Sequence, residues 1–180
     1  AAPQMGGIVR MTGFILKTVA VIELAGAAAF LPVMIPQFGV LKGIWYSLFH
    51  SISAFCNAGF DLMGVRTQYS SLTFYTGNVL VNVVAMTLIV VGGIGFLTWD
   101  DVKRNRLHLR RYRMQSKVVL AVTCALIVLP AVYFYFREFS MPVWEGMTVK
   151  ERVLASLFQS VTTRTAGFNT VDLASLTESG

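Results

Sequence analysis

One short phrase occurs twice in the sequence, once near the first third of the chain and once near its end. The two copies are Asn57-Ala58-Gly59-Phe60 and Thr165-Ala166-Gly167-Phe168. Glycine permits backbone conformations in which a Cβ would clash, and backbone carbonyls along a narrow passage can replace the hydration shell of a cation. We call these segments the first turn and the second turn, and the pattern predicts that both bind a permeating cation.

The composition indicates what kind of structure must hold the two turns. Of the 180 residues, 55% are hydrophobic and 13% are charged, about half the charged fraction of a soluble domain. Long, largely uncharged apolar stretches predict membrane-spanning helices at about 14–35, 73–97 and 118–136. The predicted fold class is an all-α integral membrane protein.

Two further helices are too short to cross a membrane. One covers about 43–55, and the other begins at a capping box, Thr148-x-x-Glu151, and ends at the second turn. Apolar stretches of this length fit re-entrant helices better than spans. Irregular backbone at membrane depth is tolerated where it is buried in protein or lines a water-filled path, so the turns after these helices should face such a path.

The basic loop at 100–117 sets the predicted orientation. Its cations lie close together between two apolar stretches: Lys103, Arg104, Arg106, Arg110, Arg111, Arg113 and Lys117. Short loops rich in Lys and Arg remain in the cytoplasm, so this cluster is interpreted as a topology signal that is compatible with anionic lipid, and no nucleic-acid partner is expected. Both turns then lie on the outer side.

The resulting organisation is a repeated unit of span, short pore helix, filter turn and span. The predicted segments are a cytoplasmic lead-in (1–13), a complete pore unit (14–99), the basic cytoplasmic loop (100–117) and a second pore unit without its closing span (118–180). A helix C-cap is the simpler alternative for each glycine, because Gly commonly follows helix ends. Two copies on the same side of the membrane, each after a non-spanning helix, favour the filter.

Several other polar residues have less specific expectations. Arg164 should lie behind the filter and support it through hydrogen bonds to carbonyls, and His50 should make a packing hydrogen bond. Asp61 and Asp172 either raise the local cation concentration or are solvated loop charges. Asp100 and Asp101 should pair with the basic loop.

Two polar or small-residue patterns lie in the predicted second span. Asn78 and Asn82 face either the pore or a neighbouring helix. Gly92, Gly93 and Gly95 favour close helix packing over a hinge. No pattern typical of an enzyme active site or of an organic cofactor site occurs, so no enzymatic activity is expected.

Three segments together carry a family resemblance: LFHSISAFCNAGFD, VVGGIGFLTWDDV and ERVLASLFQSVTTRTAGFNT. They resemble the KtrB-type membrane subunit of bacterial Ktr potassium uptake systems, in the Trk/Ktr/HKT superfamily. The resemblance covers essentially the whole chain and implies four pore units, of which this chain matches the second and third. Gly59 and Gly167 match two of the family's four filter glycines.

The resemblance also implies function and partners. It implies K⁺ transport in a bacterial cell membrane, with Na⁺ as a coupling ion in some members, by a homodimer regulated by a cytosolic nucleotide-binding ring of the KtrA or TrkA type. Alternatives within the superfamily are a Na⁺-permeable relative and the pore subunit of a K⁺ pump. An alternative from another class is a non-conducting membrane scaffold or receptor.

Overall fold

The structure is a computed structural model that describes residues 5–65, 67–68, 70–106 and 108–177. In these residues the regular elements are six α-helices: α1 (Met5–Phe38), α2 (Val40–Phe55), α3 (Val79–Gly93), α4 (Phe96–Asn105), α5 (Met114–Tyr133) and α6 (Val149–Thr165). A π-helical segment (Phe134–Glu138) continues α5; four single 3₁₀ turns lie between helices, and a fifth (Leu173–Ser175) follows α6. The predicted all-α fold class is confirmed. Residues 1–4 of the predicted lead-in and 178–180 of the predicted second unit lie outside the described residues.

In the part of the chain that the structure describes, two helices are long and apolar enough to cross a membrane, and the bent pair of α3 and α4 makes a third if it counts as one span. The two helices are Val9–Phe38, with 30 residues, and Met114–Glu138, with 25 residues. They contain the predicted spans at 14–35 and 118–136. The first helix begins earlier than predicted, because the lead-in is already helical from Met5.

The predicted second span at 73–97 is wrong in its bounds. The Asn78 side chain accepts a hydrogen bond from the Val81 N–H and caps α3 at its start. At the other end, Gly95 adopts φ of 83°, and α4 departs from α3 at an angle of 100°. Trp99 on α4 then donates its Nε1–H to the Val91 carbonyl, 2.9 Å away. The apolar stretch is therefore a short helix with a bent continuation.

The two polar residues of this stretch serve its beginning. Asn82 is fully buried, and its Nδ2 donates to the carbonyl oxygens of Tyr75 at 2.7 Å and Asn78 at 2.8 Å. Asn82 thus fixes the turn that precedes α3, while Asn78 caps the helix. Neither of the two expectations, a pore-facing or an interhelical role, describes these contacts.

The helix pair α1 and α2 forms a close hairpin around small residues. A Cβ added to Gly43 of α2 would lie 2.7 Å from Ile35 Cα of α1. A Cβ on Gly26 of α1 would lie 2.5 Å from Ser51 Oγ and 2.8 Å from a methyl carbon of Leu88. Because glycine removes these atoms, α2 and α3 both pack directly on α1.

The helix pair α5 and α6 is joined through a proline site. Pro130 inside α5 has no N–H, so the Leu126 carbonyl one turn earlier loses its usual donor. Ser160 of α6 supplies its hydroxyl instead, at 3.2 Å from the Leu126 oxygen and 2.6 Å from the Ile127 oxygen. Polar side chains of neighbouring helices commonly compensate prolines in membrane helices.

The main hydrophobic core lies where both halves of the chain meet. Its buried members come from α1, α2, α3, α4, α6, the second turn and the segment between the first turn and α3, and include Phe30, Ala54, Val81, Ala85, Phe158 and Phe168. The capping box predicted for α6 is confirmed, since Thr148 and Glu151 bond each other's backbone N–H groups. The core therefore holds the ends of α2 and α6 close together.

Candidate functional site

The first turn begins with a helix cap formed by Asn57. This residue has φ of 53°, in the left-handed region. Its N–H donates to the Ala54 carbonyl at 3.1 Å, and the Ala58 N–H donates to the Ser53 carbonyl at 2.9 Å. This is the hydrogen-bond pattern of a Schellman motif. For Gly59 the helix-cap alternative is therefore wrong, because Asn57 occupies the cap position.

The second turn lies closer to its helix: the path from the Leu-Phe pair to the glycine is one residue shorter in α6 than in α2. Helix α6 ends at Thr165, Ala166 is the C-cap with φ of −86°, and Gly167 follows with φ of 77°. Gly59 has a closely similar φ of 71°. In the second turn, Gly167 alone occupies both the helix-cap position and the predicted filter position. In the first turn these two positions are held by different residues, Asn57 and Gly59.

The two predicted filter glycines face each other. A Cβ on Gly59 would overlap the Ala166 carbonyl oxygen and would lie 3.0 Å from Gly167 Cα. A Cβ on Gly167 would lie 3.5 Å from Gly59 Cα. The structure thus brings the two copies of the phrase together, and the space between them admits no side chain at Gly59.

A side-chain hydrogen bond joins the turns at their helix ends. Thr165 Oγ1 donates to Asn57 Oδ1 at 3.2 Å. These residues hold the same place in the two copies of the phrase, 108 positions apart. The helix ends of α2 and α6 therefore converge on one point, and their C-terminal ends carry the negative pole of the helix dipole.

Each turn is held by one hydroxyl from the short helix that precedes it. Ser53 Oγ donates to the Phe60 carbonyl at 2.7 Å, and Thr162 Oγ1 donates to the Phe168 carbonyl at 2.7 Å. Sequence reasoning missed both residues. The available signal was their equal placement, since each lies 109 positions from its counterpart in the aligned short helices.

The second turn and the residues after it pack on the first unit. The Leu72 N–H donates to the Asn169 carbonyl at 2.8 Å, and the Asn169 N–H donates to Ser71 Oγ at 3.1 Å. Phe168 is 1% exposed, whereas Phe60 at the equivalent position is 70% exposed. Phe168 lies against His50 of α2, with the ring centroids 6.4 Å apart. The contact between the two units is therefore head-to-tail.

The Arg164 side chain reaches the neighbouring helix α5. Its Nη2 reaches Thr123 Oγ1 of α5 at 3.5 Å and lies near Gly93 of α3. In the part of the chain that the structure describes, this hydroxyl, and no filter carbonyl, is its hydrogen-bond partner. The predicted carbonyl contacts are thus not seen, and support of the filter stays a prediction.

His50 and the two acidic residues after the turns have local partners. His50 Nδ1 lies 2.6 Å from the Tyr46 carbonyl, and its Nε2 accepts from the Leu62 N–H at 3.3 Å, so Nδ1 carries the proton. The Asp61 carboxylate accepts from the Met63 N–H, and that of Asp172 from the Ala174 N–H. The expected packing hydrogen bond of His50 is confirmed, and both carboxylates shape their own loops.

The two acidic residues of α4 pair with the basic loop, as expected. Asp100 contacts Arg104 at 2.8 Å and Arg113 at 3.4 Å. Asp101 is buried and accepts from Ser116 Oγ at 2.5 Å and from the Arg113 N–H at 3.0 Å. The hydrogen bond from Ser116, assisted by Arg113, lowers the pKa of Asp101 below its ordinary value.

The three glycines of VVGGIGF have different surroundings in the structure. A Cβ on Gly92 would overlap the Phe55 carbonyl oxygen at the end of α2, so Gly92 serves close packing as predicted. The nearest atom to a Cβ on Gly93 is Asn57 Nδ2 at 3.9 Å. Gly95 lies at the bend between α3 and α4, where its positive φ is required.

Comparison with known proteins identifies the family. The family model described as "TrkH: Cation transport protein" matches residues 3–180. The chain is 38% identical over 177 residues to the potassium/sodium uptake protein NtpJ of Enterococcus hirae, covering 98% of this chain and 38% of that protein. It is 36% identical over 177 residues to the Ktr system potassium uptake protein B of Bacillus subtilis, with 98% and 38% coverage.

A third relative, the Ktr system potassium uptake protein B of Vibrio alginolyticus, is 37% identical over 146 residues, or 80% of this chain and 31% of the relative. The chain thus spans less than two-fifths of the length of these relatives. The apolar helices and these relatives indicate a multi-pass protein of a bacterial membrane. The chain belongs to the TrkH family of cation transport proteins.

Proposed function

We propose that this chain supplies two filter strands of a potassium-transporting pore. The observation that carries the proposal is the meeting of Gly59 and Gly167, two equivalent glycines with positive φ at the converging ends of two short helices. Relatives at 36–38% identity are named as potassium or potassium/sodium uptake proteins, which supports a cation as the transported species.

In this proposal the ion exchanges its hydration water for carbonyl oxygens. The candidate carbonyls belong to the eight residues of the two turns: Asn57, Ala58, Gly59, Phe60, Thr165, Ala166, Gly167 and Phe168. The C-terminal ends of α2 and α6 add a favourable negative potential. No covalent chemistry is required, because the ion moves down its electrochemical gradient.

Further pore units are proposed to complete the ring. The second turn buries Phe168 against α2 of the first unit, but the equivalent Phe60 is 70% exposed beside an apolar groove. Trp45, Phe49 and Ile52 are among the residues that line this groove. Head-to-tail contacts of this kind close into rings when the rotation permits. We therefore expect another unit of the same protein to cover Phe60 as the first unit covers Phe168.

The proposed assembly is a homodimer with a cytosolic nucleotide-binding ring of the KtrA or TrkA type. Two relatives are named as components of a Ktr system, which supports a multi-component assembly. Affinity purification of the full-length gene product from its native membrane tests this. A nucleotide-binding partner is expected, whereas a co-purifying ATPase would favour the pump alternative.

The transport function is tested by ion uptake in cells that lack their own K⁺ uptake systems. The full-length protein that contains this chain should restore growth at low K⁺ and should take up ⁸⁶Rb⁺. Correct membrane insertion without uptake would favour the scaffold or receptor alternative. Equal uptake of ²²Na⁺ and ⁸⁶Rb⁺ would favour the Na⁺-permeable alternative, which the potassium/sodium name of one relative keeps open.

A further inference from the structure

The two hydroxyls that hold the turns match in helix position, burial and hydrogen-bond length. Ser53 and Thr162 occupy matching positions of α2 and α6, both are buried, and each donates at 2.7 Å. Each acceptor is the carbonyl of the phenylalanine that follows a filter glycine. The arrangement persists although one residue is serine and the other threonine, and although the first unit has one residue more between the Leu-Phe pair and the glycine.

In the first turn, this hydrogen bond fixes a part of the chain with little other support. In the described residues, the backbone hydrogen bonds at the end of α2 stop with the Ala58 N–H, and no backbone–backbone hydrogen bond involves Gly59, Phe60 or Asp61. Glycine is the most freely rotating residue. The Ser53 hydroxyl therefore anchors the first turn directly after Gly59, its most freely rotating residue.

The anchored carbonyl also determines how its neighbours are presented. Because the Phe60 and Phe168 oxygens already accept hydrogen bonds from their own pore helices, the peptide planes after both phenylalanines are held in place. The carbonyls of Gly59 and Gly167 are the adjacent groups. Discrimination between K⁺ and Na⁺ depends on the position and stiffness of such carbonyls.

We propose that Ser53 and Thr162 are positioning residues for ion selectivity, each acting by holding the carbonyl after a filter glycine. This inference rests on the proposed pore function and adds the residues that set its discrimination. Neither side chain contacts the ion in this proposal, so both act through the backbone of the turns.

The test uses paired variants in the full-length protein. Ser53→Ala and Thr162→Val remove the hydroxyl with little change in volume, while Ser53→Thr and Thr162→Ser retain it. The measured quantities are the maximal ⁸⁶Rb⁺ uptake rate, the KM for K⁺, and the concentration of Na⁺ that competes. Loss of one hydrogen bond should lower the K⁺/Na⁺ preference by about threefold to tenfold, and the retaining variants should remain near wild type.

The chain offers a matched control pair. Ser47 and Ser156 are buried hydroxyls on the same two helices, also at equivalent positions. They donate to carbonyls of their own helix, at Gly43 and Arg152, and not to the turns. Ser47→Ala and Ser156→Ala should therefore leave the ion preference unchanged.

The outcomes separate this inference from the pore function. If the wild-type protein takes up ⁸⁶Rb⁺ and the Ser53→Ala and Thr162→Val variants keep its K⁺/Na⁺ preference, the inference is overturned while the pore function stands. An equal loss of preference in the Ser47 and Ser156 controls would also overturn it, since helix integrity would then be the cause. Absence of wild-type uptake would overturn the pore function and the inference with it. The hydrogen bonds of Ser53 and Thr162 are tested by separate variants. If one variant inserts poorly into the membrane, the other still tests the inference.

Discussion

Ser51 and Ser160 make the same contact in the two units: each donates its hydroxyl to a backbone carbonyl of the spanning helix before its own short helix. Ser51 donates to the Glu23 oxygen at 2.6 Å, and Ser160 to the Ile127 oxygen at 2.6 Å. The two serines are 109 positions apart, the offset of the Leu-Phe pairs. The repeat is thus visible in side-chain contacts as well as in sequence.

These two serines should differ in their importance for stability. Ser160 also serves the Leu126 carbonyl that Pro130 deprives of a donor, so Ser160→Ala leaves that carbonyl unpaired within a membrane-spanning helix. We expect Ser160→Ala to cost about 2 kcal/mol and Ser51→Ala about 1 kcal/mol. Thermal unfolding of the full-length protein in detergent measures both. Ser140→Ala, which removes an exposed hydroxyl, is the control, and equal melting temperatures for all four proteins would contradict the expectation.

Substitution of the proposed filter glycines should be more damaging at Gly59 than at Gly167. Positive φ costs an alanine about 1–2 kcal/mol at either site. Only at Gly59 does the new Cβ also overlap a backbone oxygen, that of Ala166. We expect both Gly→Ala and Gly→Ser variants to weaken K⁺ preference over Na⁺ in uptake assays, with the larger loss at Gly59.

Gly64 provides the control for these variants. It lies in the loop just beyond the first turn, and a Cβ there would have no atom within 4 Å. Gly64→Ser should transport like wild type. If selectivity were unchanged in both filter-glycine variants, the two turns would not form the filter.

The neighbours Gly92 and Gly93 should respond in opposite ways to alanine. At Gly92 the added Cβ overlaps the Phe55 carbonyl at the end of α2, and overpacking of this kind costs about 1–3 kcal/mol. At Gly93 the nearest atom would be 3.9 Å away, and alanine favours helix by up to about 1 kcal/mol. Melting temperatures of the two variants test this, and an equal decrease in both would argue against specific packing at Gly92.

The buried Asp101 should stabilise the junction between α4 and the basic loop over a defined pH range. The Ser116 hydroxyl and Arg113 lower its pKa below the ordinary value of 3.8. A lowered pKa gives a contribution that is complete above the ordinary value and is lost as the pH falls through the folded-state value. The difference in melting temperature between wild type and Asp101→Asn should therefore be constant at roughly pH 5 to 8 and shrink only at lower pH.

Ser116→Ala gives an independent check of the same group. It removes the strongest of the interactions that lower the pKa of Asp101 and should reduce stability in the same pH range. A melting-temperature difference that grew on acidification would contradict this assignment, because it would require a raised pKa.

Hydropathy and repetition in the sequence predict much of the fold. Long uncharged stretches mark α1 and α5, and the capping box at Thr148 marks the start of α6. The alignment of Gly59 with Gly167 anticipates that the two turns are equivalent, and the structure adds that they touch.

Two features could not be predicted from composition. The apolar stretch from 79 to 99 continues without interruption through Gly95, so hydropathy cannot distinguish a straight span from a bent one. The role of a hydroxyl in a short helix depends on where the chain goes afterwards: Ser47 bonds its own helix, whereas Ser53, six residues later, meets a turn that folds back. Both features depend on backbone dihedral angles that residue type only partly determines.

The bend at Gly95 has a consequence for the surrounding lipid. Helix α3 has 15 residues and is therefore about 22 Å long, whereas the hydrocarbon core of a bilayer is about 30 Å thick. Wherever α3 meets lipid, this hydrophobic mismatch should thin the adjacent leaflet on the side of α4. Lipids with shorter acyl chains should accordingly gather at this face of the protein.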